Sequence, residues 1–412
     1  MKNLRMQQEM TDRGRLEIRV NARIQARPVS GARVTVSYTG DPQNVIEELI
    51  TDGDGRTETL DLATPPLEYS LEPNVNQPYS EYTVKVEAEG YEPVEVTGSE
   101  LLSGEQSVQQ VDLEPAEGAA FADVTIPDHT LFGEYPAKIP ESEIKPTWES
   151  GEIVLSRVVI PEYVVVHDGA PTDSTARDYY VRYRDYIKNV ACSEIYATWP
   201  DAAIRANILA IMSFTLNRVY TEWYRNKGYD FTITSSTAYD HRNIFDSISL
   251  VVDEIFADYL SRPNVKQPIL TQYCDGNRVS CPNWMSQWGS KNLADQGYST
   301  IQILRNYYGD NMYINTAEEI SGIPSSWPGY DLTIGSSGNK VLQMQEQLNV
   351  IAEVYSSIPT VYENGYFDEE TQDAVEAFQR LFGLPVSGIV DYPTWYKIQS
   401  IYVAVTRIAE LQ

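Results

Sequence analysis

The sequence WPDAAIRANILAIMSFTLNRVYTEWYRNKG, residues 199–228, decides the fold of the middle of this chain. Its apolar residues recur at the spacing of one broad helical face, at Ile204, Ile208, Ile211 and Leu216. A proline followed by Asp201 is a common helix start, and Gly228 is a common stop. The spacing therefore predicts a helix over residues 201–224.

Shorter amphipathic patterns follow this helix. They predict a second helix over residues 244–260, ended by Pro263, and a third over residues 299–308, ended by a glycine. Aromatic and β-branched stretches separate the helices, which favours an α+β domain over an α/β domain. We assign this domain to residues 158–325.

The N-terminal part of the sequence alternates apolar and polar residues. This period of two is seen in RLEIRV at 15–20, RVTVSY at 33–38 and YTVKV at 82–86, and TDGDG at 51–55 is a strong turn signal. Short strands at regular intervals are typical of an all-β sandwich. We predict such a sandwich over residues 14–114, preceded by a polar tail over residues 1–13.

Two further segments complete the chain. Residues 115–157 are rich in proline and acidic residues and lack sustained periodicity, which predicts a surface linker open to proteolytic cleavage. Residues 326–412 contain two amphipathic patterns broken by Gly-rich turns, which predicts a small helical domain. The patterns comprise Val341, Met344, Leu348 and Ile351 in one helix and Thr371, Val375, Phe378 and Phe382 in the other.

The composition argues against several classes of function. The chain has 412 residues, with 31 Lys and Arg against 59 Asp and Glu, and a formal net charge of -28. This excess of negative charge argues against a nucleic-acid partner and against docking on an anionic membrane surface. No apolar run approaches the roughly 20 residues of a transmembrane helix. The first residues also lack the apolar segment of a standard secretory signal.

Three cysteines in a chain of this length exclude a scaffold held together by disulfides. Cys274 and Cys281, in YCDGNRVSC, allow a local disulfide, two free thiols or participation in a metal site. The first two are favoured, because a structural zinc site needs four ligands at tighter paired spacing. No nucleotide-binding motif occurs, and we predict neither a metal nor a cofactor.

The C-terminal residues resemble a known family. The matching positions are Leu332, Gly335, Gly338, Val341, Gln345, Leu348, Asn364, Gly365, Phe367, Thr371, Ala374, Val375, Phe378, Gln379, Leu384, Gly388, Thr394 and Trp395. This pattern resembles the small three-helix peptidoglycan-binding domain, which anchors enzymes on cell-wall polymer. The resemblance implies that peptidoglycan is a partner.

The N-terminal segments PVSGARVTV, TDGDGRTETLDL and YTVKVEAEGYEP resemble the transthyretin-like and collagen-adhesin B-type (CNA-B-like) sandwich modules. Such modules are usually spacers or binding platforms, so the fold by itself assigns no chemistry. We therefore expect residues 14–114 to form a structural or inhibitory domain.

The middle region resembles the SpoIID-type lytic transglycosylases over roughly residues 160–312. The matching segments are NVACSE at 189–194, WPDAAIRA at 199–206, YDF at 229–231, TSSTAY at 234–239, MSQWG at 285–289, QGY at 296–298 and ILRNYYG at 303–309. Members of this family cleave the MurNAc–GlcNAc bond of peptidoglycan without water and leave a 1,6-anhydro ring. The resemblance implies the same activity here.

Glu194 occupies the catalytic position of that family. One carboxyl group can serve this chemistry, because it first protonates the leaving glycosidic oxygen and then takes the proton of the attacking C6 hydroxyl. The alternative interpretation is a surface or capping glutamate in front of a helix.

Six more residues are candidates for substrate binding, because their side chains suit sugar hydroxyls, N-acetyl groups or sugar-ring faces. They are Ser236, Thr237, Tyr239, His241, Gln287 and Trp288. The alternatives are that the loop residues satisfy local backbone groups, that the histidine is structural and that Trp288 belongs to the core.

The order of sandwich, SpoIID-like domain and peptidoglycan-binding domain resembles the spore cortex-lytic enzymes of clostridia. This resemblance implies an inactive precursor in the cortex or coat region of a bacterial spore, loaded without a standard signal peptide. It also implies two partners, the glycan strands of cortex peptidoglycan and a subtilisin-like germination protease that removes the N-terminal region. Two alternatives stay open, an N-acetylmuramoyl-L-alanine amidase and a non-catalytic peptidoglycan-binding protein.

Overall fold

The computed structural model describes most of the chain. The described residues are 11–23, 27–73, 75–116, 122–133, 155, 157–229, 231–235, 239, 242–317, 319–320, 328 and 330–406. Within them, no helix has both the length and the apolar character needed to cross a membrane.

The N-terminal part of the chain is β-rich, as predicted. Its elements are β1 (Asp12–Ala22), β2 (Arg27–Pro28), β3 (Arg33–Tyr38), β4 (Asp41–Ile50), β5 (Leu60–Thr64), α1 (Glu68–Leu71), β6 (Ser80–Glu87), β7 (Val94–Leu101), β8 (Gln106–Leu113) and β9 (Ala122–Thr125). One sheet places β1 between β8 and the pair β2 and β5, and the other has the order β4-β3-β6-β7-β9. The two sheets share one apolar core, to which alternate residues such as Leu16, Val34 and Val84 contribute. In β1, β3 and β6 the period-two pattern therefore indicates which face is buried, whereas β4 is exposed along almost its whole length.

The middle part combines helices with short strands. Its elements are β10 (Val159–Ile160), β11 (Tyr163–His167), β12 (Asp178–Arg182), α2 (Tyr183–Glu194), α3 (Asp201–Tyr220), β13 (Ile233–Thr234), β14 (Ile244–Phe245), α4 (Asp246–Ile255), β15 (Asp258–Ser261), β16 (Tyr273–Cys274), β17 (Met285–Ser286), α5 (Gln287–Asp295), α6 (Thr300–Tyr308), β18 (Tyr313–Thr316) and β19 (Glu319–Ile320). Helix α3 is buried around most of its circumference and contacts α2, α4, α5 and α6. A helix that is apolar on all sides belongs at the centre of a core.

The helix predicted over residues 244–260 is wrong at both ends. Ile244 pairs instead with Val108 of β8, and the segment Asp258–Ser261 pairs with β18. Helix α3 likewise ends at Tyr220 rather than at residue 224. Partners distant in sequence override a local amphipathic pattern at these ends, as tertiary contacts commonly do.

The surface linker predicted over residues 115–157 is wrong for residues 122–133. Strand β9 extends the second sheet by pairing in parallel with β7, and Ile126 and Leu131 behind it are buried. His129 and Thr130 of the same segment are buried as well, so its burial involves both apolar and polar side chains. The rest of the predicted cleavage region lies outside the described residues, apart from its two ends.

Within the described residues, the C-terminal part contains α7 (Asn339–Ala352), α8 (Glu369–Leu381) and α9 (Tyr392–Thr406). Two buried glutamines organise its turns in the same way. Gln345 on α7 accepts the backbone N–H of Gly365, and Gln379 on α8 accepts that of Gly388. Each amide also donates to the hydroxyl of a threonine at the next helix start. Both glycines have φ near +68° (69° and 67°), which favours glycine over any residue with a side chain.

The three parts pack against each other. Strand β14 of the middle part extends the sheet of β8, and Arg184 of α2 donates to the carbonyl of Tyr396 on α9 at 2.8 Å. Asp253 of α4 accepts from Lys188 at 2.7 Å in the same interface. Burial alone would raise the pKa of Asp253, but Lys188 and the other nearby cations outweigh it and hold that pKa below its ordinary value.

Lys397 in this interface gives a testable pH dependence. Burial, followed by repulsion from Lys188, lowers the pKa of Lys397 to about 7. Between this value and the ordinary value of 10.5, the unfolded chain binds a proton that the folded chain does not, so stability should rise with pH. Melting temperatures of Lys397→Met should depend less on pH over this interval than those of the unsubstituted protein. Lys85→Met, on the solvent side of β6, is the matched control, and equal slopes for all three proteins would contradict the prediction.

Candidate active site

Glu194 is the last residue of α2 and is buried, with 1% of its surface exposed. The helix stops here because Ile195 is extended, although its backbone N–H still bonds to the carbonyl of Ala191 at 3.0 Å. The carboxyl group therefore has a fixed position at the point where the chain leaves the helix.

Gln287, at the first turn of α5, holds this carboxyl group. Its Nε2 donates to Oε2 of Glu194 at 2.7 Å and to the main-chain oxygen of Glu194 at 2.9 Å. Gln287 was predicted as a substrate-binding residue, and the structure brings it directly onto Glu194. An amide that contacts both the side chain and the backbone of one residue sets the orientation of its carboxyl group.

The remaining predicted binding residues lie in different places. Trp288 is buried against Trp199 and Tyr196, with ring centroids 4.9 and 6.1 Å away. Tyr239 stacks on Tyr186 at 5.8 Å. Ser236, Thr237 and His241 lie outside the described residues.

The segment 127–133 of the N-terminal part covers this site. Thr130 donates to the carbonyl of Ser193 through its hydroxyl, at 2.6 Å, and its Oγ1 lies 3.5 Å from Oε2 of Glu194. His129 is fully buried, and its ring centroid is 4.5 Å from that of Tyr196. Burial and the nearby arginines hold the pKa of His129 well below its ordinary value, and its Nδ1 accepts the N–H of the residue after Thr130. The segment thus binds as a specific cover.

A disulfide loop also binds the covering segment, through hydrogen bonds from Arg278. Cys274 and Cys281 are disulfide-bonded, which decides the alternative that the sequence left open. Within the loop, Asp275 accepts from Nε of Arg278 at 2.9 Å. The guanidinium of Arg278 then donates to three carbonyl groups of the segment, those of Thr130, Phe132 and Gly133. The loop is therefore built to present one arginine to the cover.

A buried ion pair joins the two parts beside Glu194. Arg242 forms it with Glu100 of β7, and both side chains are almost fully buried. Nε of Arg242 donates to Oγ of Ser193 at 3.1 Å, and Nη2 donates to the carbonyl of Pro127 at 2.7 Å. The sequence analysis did not identify Arg242. Its position directly after the predicted binding residue His241, in a strongly acidic chain, was a usable signal.

A cleft of about 650 Å³ lies next to this ion pair. The middle part contributes Tyr163, Tyr179, Tyr180, Asn189, Tyr239 and Arg242, and the N-terminal part contributes Glu92, Gln109, Asp112 and Glu114. Its walls thus combine aromatic rings with polar and charged groups. Among the described residues, no three or more His, Cys, Asp or Glu side chains are grouped so as to hold a metal ion.

Comparison with known proteins identifies the C-terminal part. Residues 337–398 match the family described as a putative peptidoglycan binding domain, and this range contains α7, α8 and the first turns of α9. The match supports peptidoglycan as a partner and association with the cell wall. No curated protein matches the chain.

Three solved structures show remote likenesses to parts of the chain. The Bacillus anthracis TIE protein is 20% identical at a TM-score of 0.17, over 25% of this chain and 17% of its own. The minor pilin GBS52 of Streptococcus agalactiae is 12% identical at 0.19, over 26% and 47%. A mutant of Acinetobacter radioresistens catechol 1,2 dioxygenase is 16% identical at 0.18, over 27% and 57%. The chain thus spans less than two thirds of each, and such TM-scores establish no shared overall fold.

Proposed function

We propose that this protein is the latent form of a peptidoglycan lytic transglycosylase, with Glu194 as its catalytic residue. The observation that carries the proposal is the Glu194 carboxyl group, buried and oriented by Gln287, in a chain that also has a peptidoglycan-binding domain. The amide of Gln287 holds one oxygen of this carboxyl group in a fixed orientation, as proton exchange with a substrate requires.

The reaction needs one carboxyl group in two successive states. Glu194 in its acid form gives its proton to the glycosidic oxygen while the C1–O bond to the departing GlcNAc breaks. The resulting carboxylate takes the proton of the C6 hydroxyl as O6 bonds to C1 of the same MurNAc. The products are a 1,6-anhydro-MurNAc end and a new GlcNAc hydroxyl, and Glu194 regains its proton.

The covering segment supports the latent state. Thr130 lies against Glu194, and Arg278 and Arg242 hold the same segment through its carbonyl groups, so no glycan can approach the carboxyl group from that side. We propose that proteolysis between Gly133 and Leu155 starts the release of this cover. A subtilisin-like protease of germination is the proposed activator.

The order of the three resembling segments along the chain suggests a substrate, a location and a role. The arrangement is similar to that of the clostridial spore cortex-lytic enzyme SleC. On this basis the proposed substrate is cortex peptidoglycan, the proposed location is the cortex or coat region of a spore, and the proposed role is cortex lysis during germination.

The deep burial of Glu194 favours a second candidate, a non-catalytic protein whose middle part only holds glycan. Mass spectrometry of the soluble fragments from cortex peptidoglycan decides between the two. The protein for this experiment carries a site-specific protease sequence between Gly133 and Leu155 and is used after cutting. We expect muropeptides that end in 1,6-anhydro-muramic acid. Free stem peptides with intact glycan would establish an amidase instead, and no soluble product would favour the non-catalytic protein.

A further inference from the structure

Arg242 is held by groups from both sides of the interface. Ser193, which directly precedes Glu194, comes from its own part of the chain, whereas the carboxylate of Glu100 and the carbonyl of Pro127 come from the N-terminal part. A buried guanidinium is stable only with a well-placed anion, because its desolvation costs several kcal/mol. Glu100 supplies that anion here.

Glu100 is presented to Arg242 by a rigid support. Asn243 accepts the backbone N–H of Glu100 and donates to its carbonyl, both at 2.7 Å. Ser107 of β8 donates to the same carbonyl at 3.0 Å. Both the N–H and the carbonyl of the Glu100 backbone are thus held next to the arginine.

Departure of the N-terminal part would change the surroundings of Arg242. It would lose Glu100 and Pro127 and retain Ser193, one residue from the proposed catalytic carboxyl group. The arginine would then be more exposed on the side of the cleft that Tyr239 and Asn189 also line. A cation at this place would attract an anionic polymer, although acidic residues outnumber basic ones in the chain.

Peptidoglycan carries anionic groups on its muramyl sugars. Each MurNAc carries a lactyl carboxyl group, which is either free or extended by a stem peptide with its own carboxylates. We propose that Arg242 binds a carboxylate of this muramyl substituent, and that Glu100 occupies the same place in the latent form as an internal substitute. The proposal rests on the proposed function for its substrate class and for the release of the N-terminal part.

The test follows release of the N-terminal fragment rather than catalysis. The full chain with a protease site between Gly133 and Leu155 is cut, and the Glu194→Gln background prevents consumption of the ligand. Size-exclusion chromatography then measures dissociation of the two fragments as each of three probes is added. The probes are a GlcNAc–MurNAc tetrasaccharide with stem peptides, the same tetrasaccharide with free lactyl groups, and chitotetraose, which has no carboxylate.

We expect a carboxylate-bearing probe to release the fragment at a concentration about tenfold lower than chitotetraose, since one charge-assisted contact is at stake. The ratio between probes should fall to about one in Arg242→Gln and persist in part in Arg242→Lys. A preference for both tetrasaccharides identifies the lactyl carboxylate, and a preference for the peptide-bearing one alone identifies the stem peptide.

Glu100→Gln should release its fragment more readily without any probe, because the buried arginine loses its counter-charge. Glu105→Gln is the matched control, since Glu105 accepts from the neutral hydroxyl of Ser247 across the same interface at 2.9 Å. Equal potency of chitotetraose, failure of every probe, or an unchanged ratio in Arg242→Gln would overturn the proposal. If instead the ratio holds while the cut protein with Glu194 intact yields no anhydro product from cortex peptidoglycan, only the proposed transglycosylase activity fails.

Discussion

Replacing Glu194 with glutamine is expected to lower the release of soluble muropeptides by about 10³-fold, a typical effect of losing a general acid–base. Glutamine fills the same space and retains an oxygen that can accept the 2.7 Å hydrogen bond from Nε2 of Gln287. It cannot give or take the proton that the glycosidic bond and the C6 hydroxyl require. The measurement is the rate of anhydro-muropeptide release by the protein cut between Gly133 and Leu155.

The control for this variant is Asp310→Asn, which removes an exposed carboxylate of the same part of the chain. Both variants should retain the melting temperature of the unsubstituted protein and should sediment equally with insoluble peptidoglycan. Undiminished release by Glu194→Gln would assign the proton transfer to another group. Equal losses in both variants would point to a general effect of charge rather than to catalysis.

The elements that the sequence predicts well are those whose pattern is local. The alternation at Leu16 and Val34 matches their burial in the core that the two N-terminal sheets share, and the spacing of Met344 and Phe378 matches their places in helices of the C-terminal part. The ends of the helix predicted over residues 244–260 could not be predicted in this way. Their strands exist because they pair with β8 and β18, which local spacing does not encode.

In the candidate site, too, residues in local motifs were predictable and long-range contacts were not. Glu194 and Gln287 are 93 positions apart in sequence, yet each lies in a recognisable motif, and the structure joins them. The cover was not predictable, because Ile126 and Leu131 are too few to form a periodic pattern. Arg278, which binds the cover, is 148 positions from Thr130 in sequence. Their contact depends on how the disulfide loop packs against the segment. Such contacts belong to the tertiary structure alone.

Cutting the chain between Gly133 and Leu155 is expected to raise the rate of glycan cleavage by about 100-fold, the factor lost by a site that is open about 1% of the time. The cut breaks the covalent connection between the cover and the middle part. The cover can then dissociate from Glu194 together with the N-terminal fragment. The measurement compares anhydro-muropeptide release by cut and uncut protein at equal concentration. Equal rates would show that the cover does not limit access to Glu194.

Weakening the cover without any cut should give part of this gain. Arg278→Ala removes the hydrogen bonds to three carbonyl groups of the segment, while the contacts of Thr130 and Arg242 remain. We expect a roughly tenfold rise in the uncut protein, a modest effect for three hydrogen bonds because the Arg278 side chain is partly exposed to solvent. Reduction of the Cys274–Cys281 disulfide, which closes the loop that carries Arg278, should act in the same direction. Arg205→Ala is the matched control, because Arg205 forms ion pairs only with Asp201 and Glu254 among the described residues. If the cover limits access, the uncut Arg278→Ala protein should release anhydro-muropeptides faster than the uncut Arg205→Ala protein. Equal rates for the two variants would contradict the prediction.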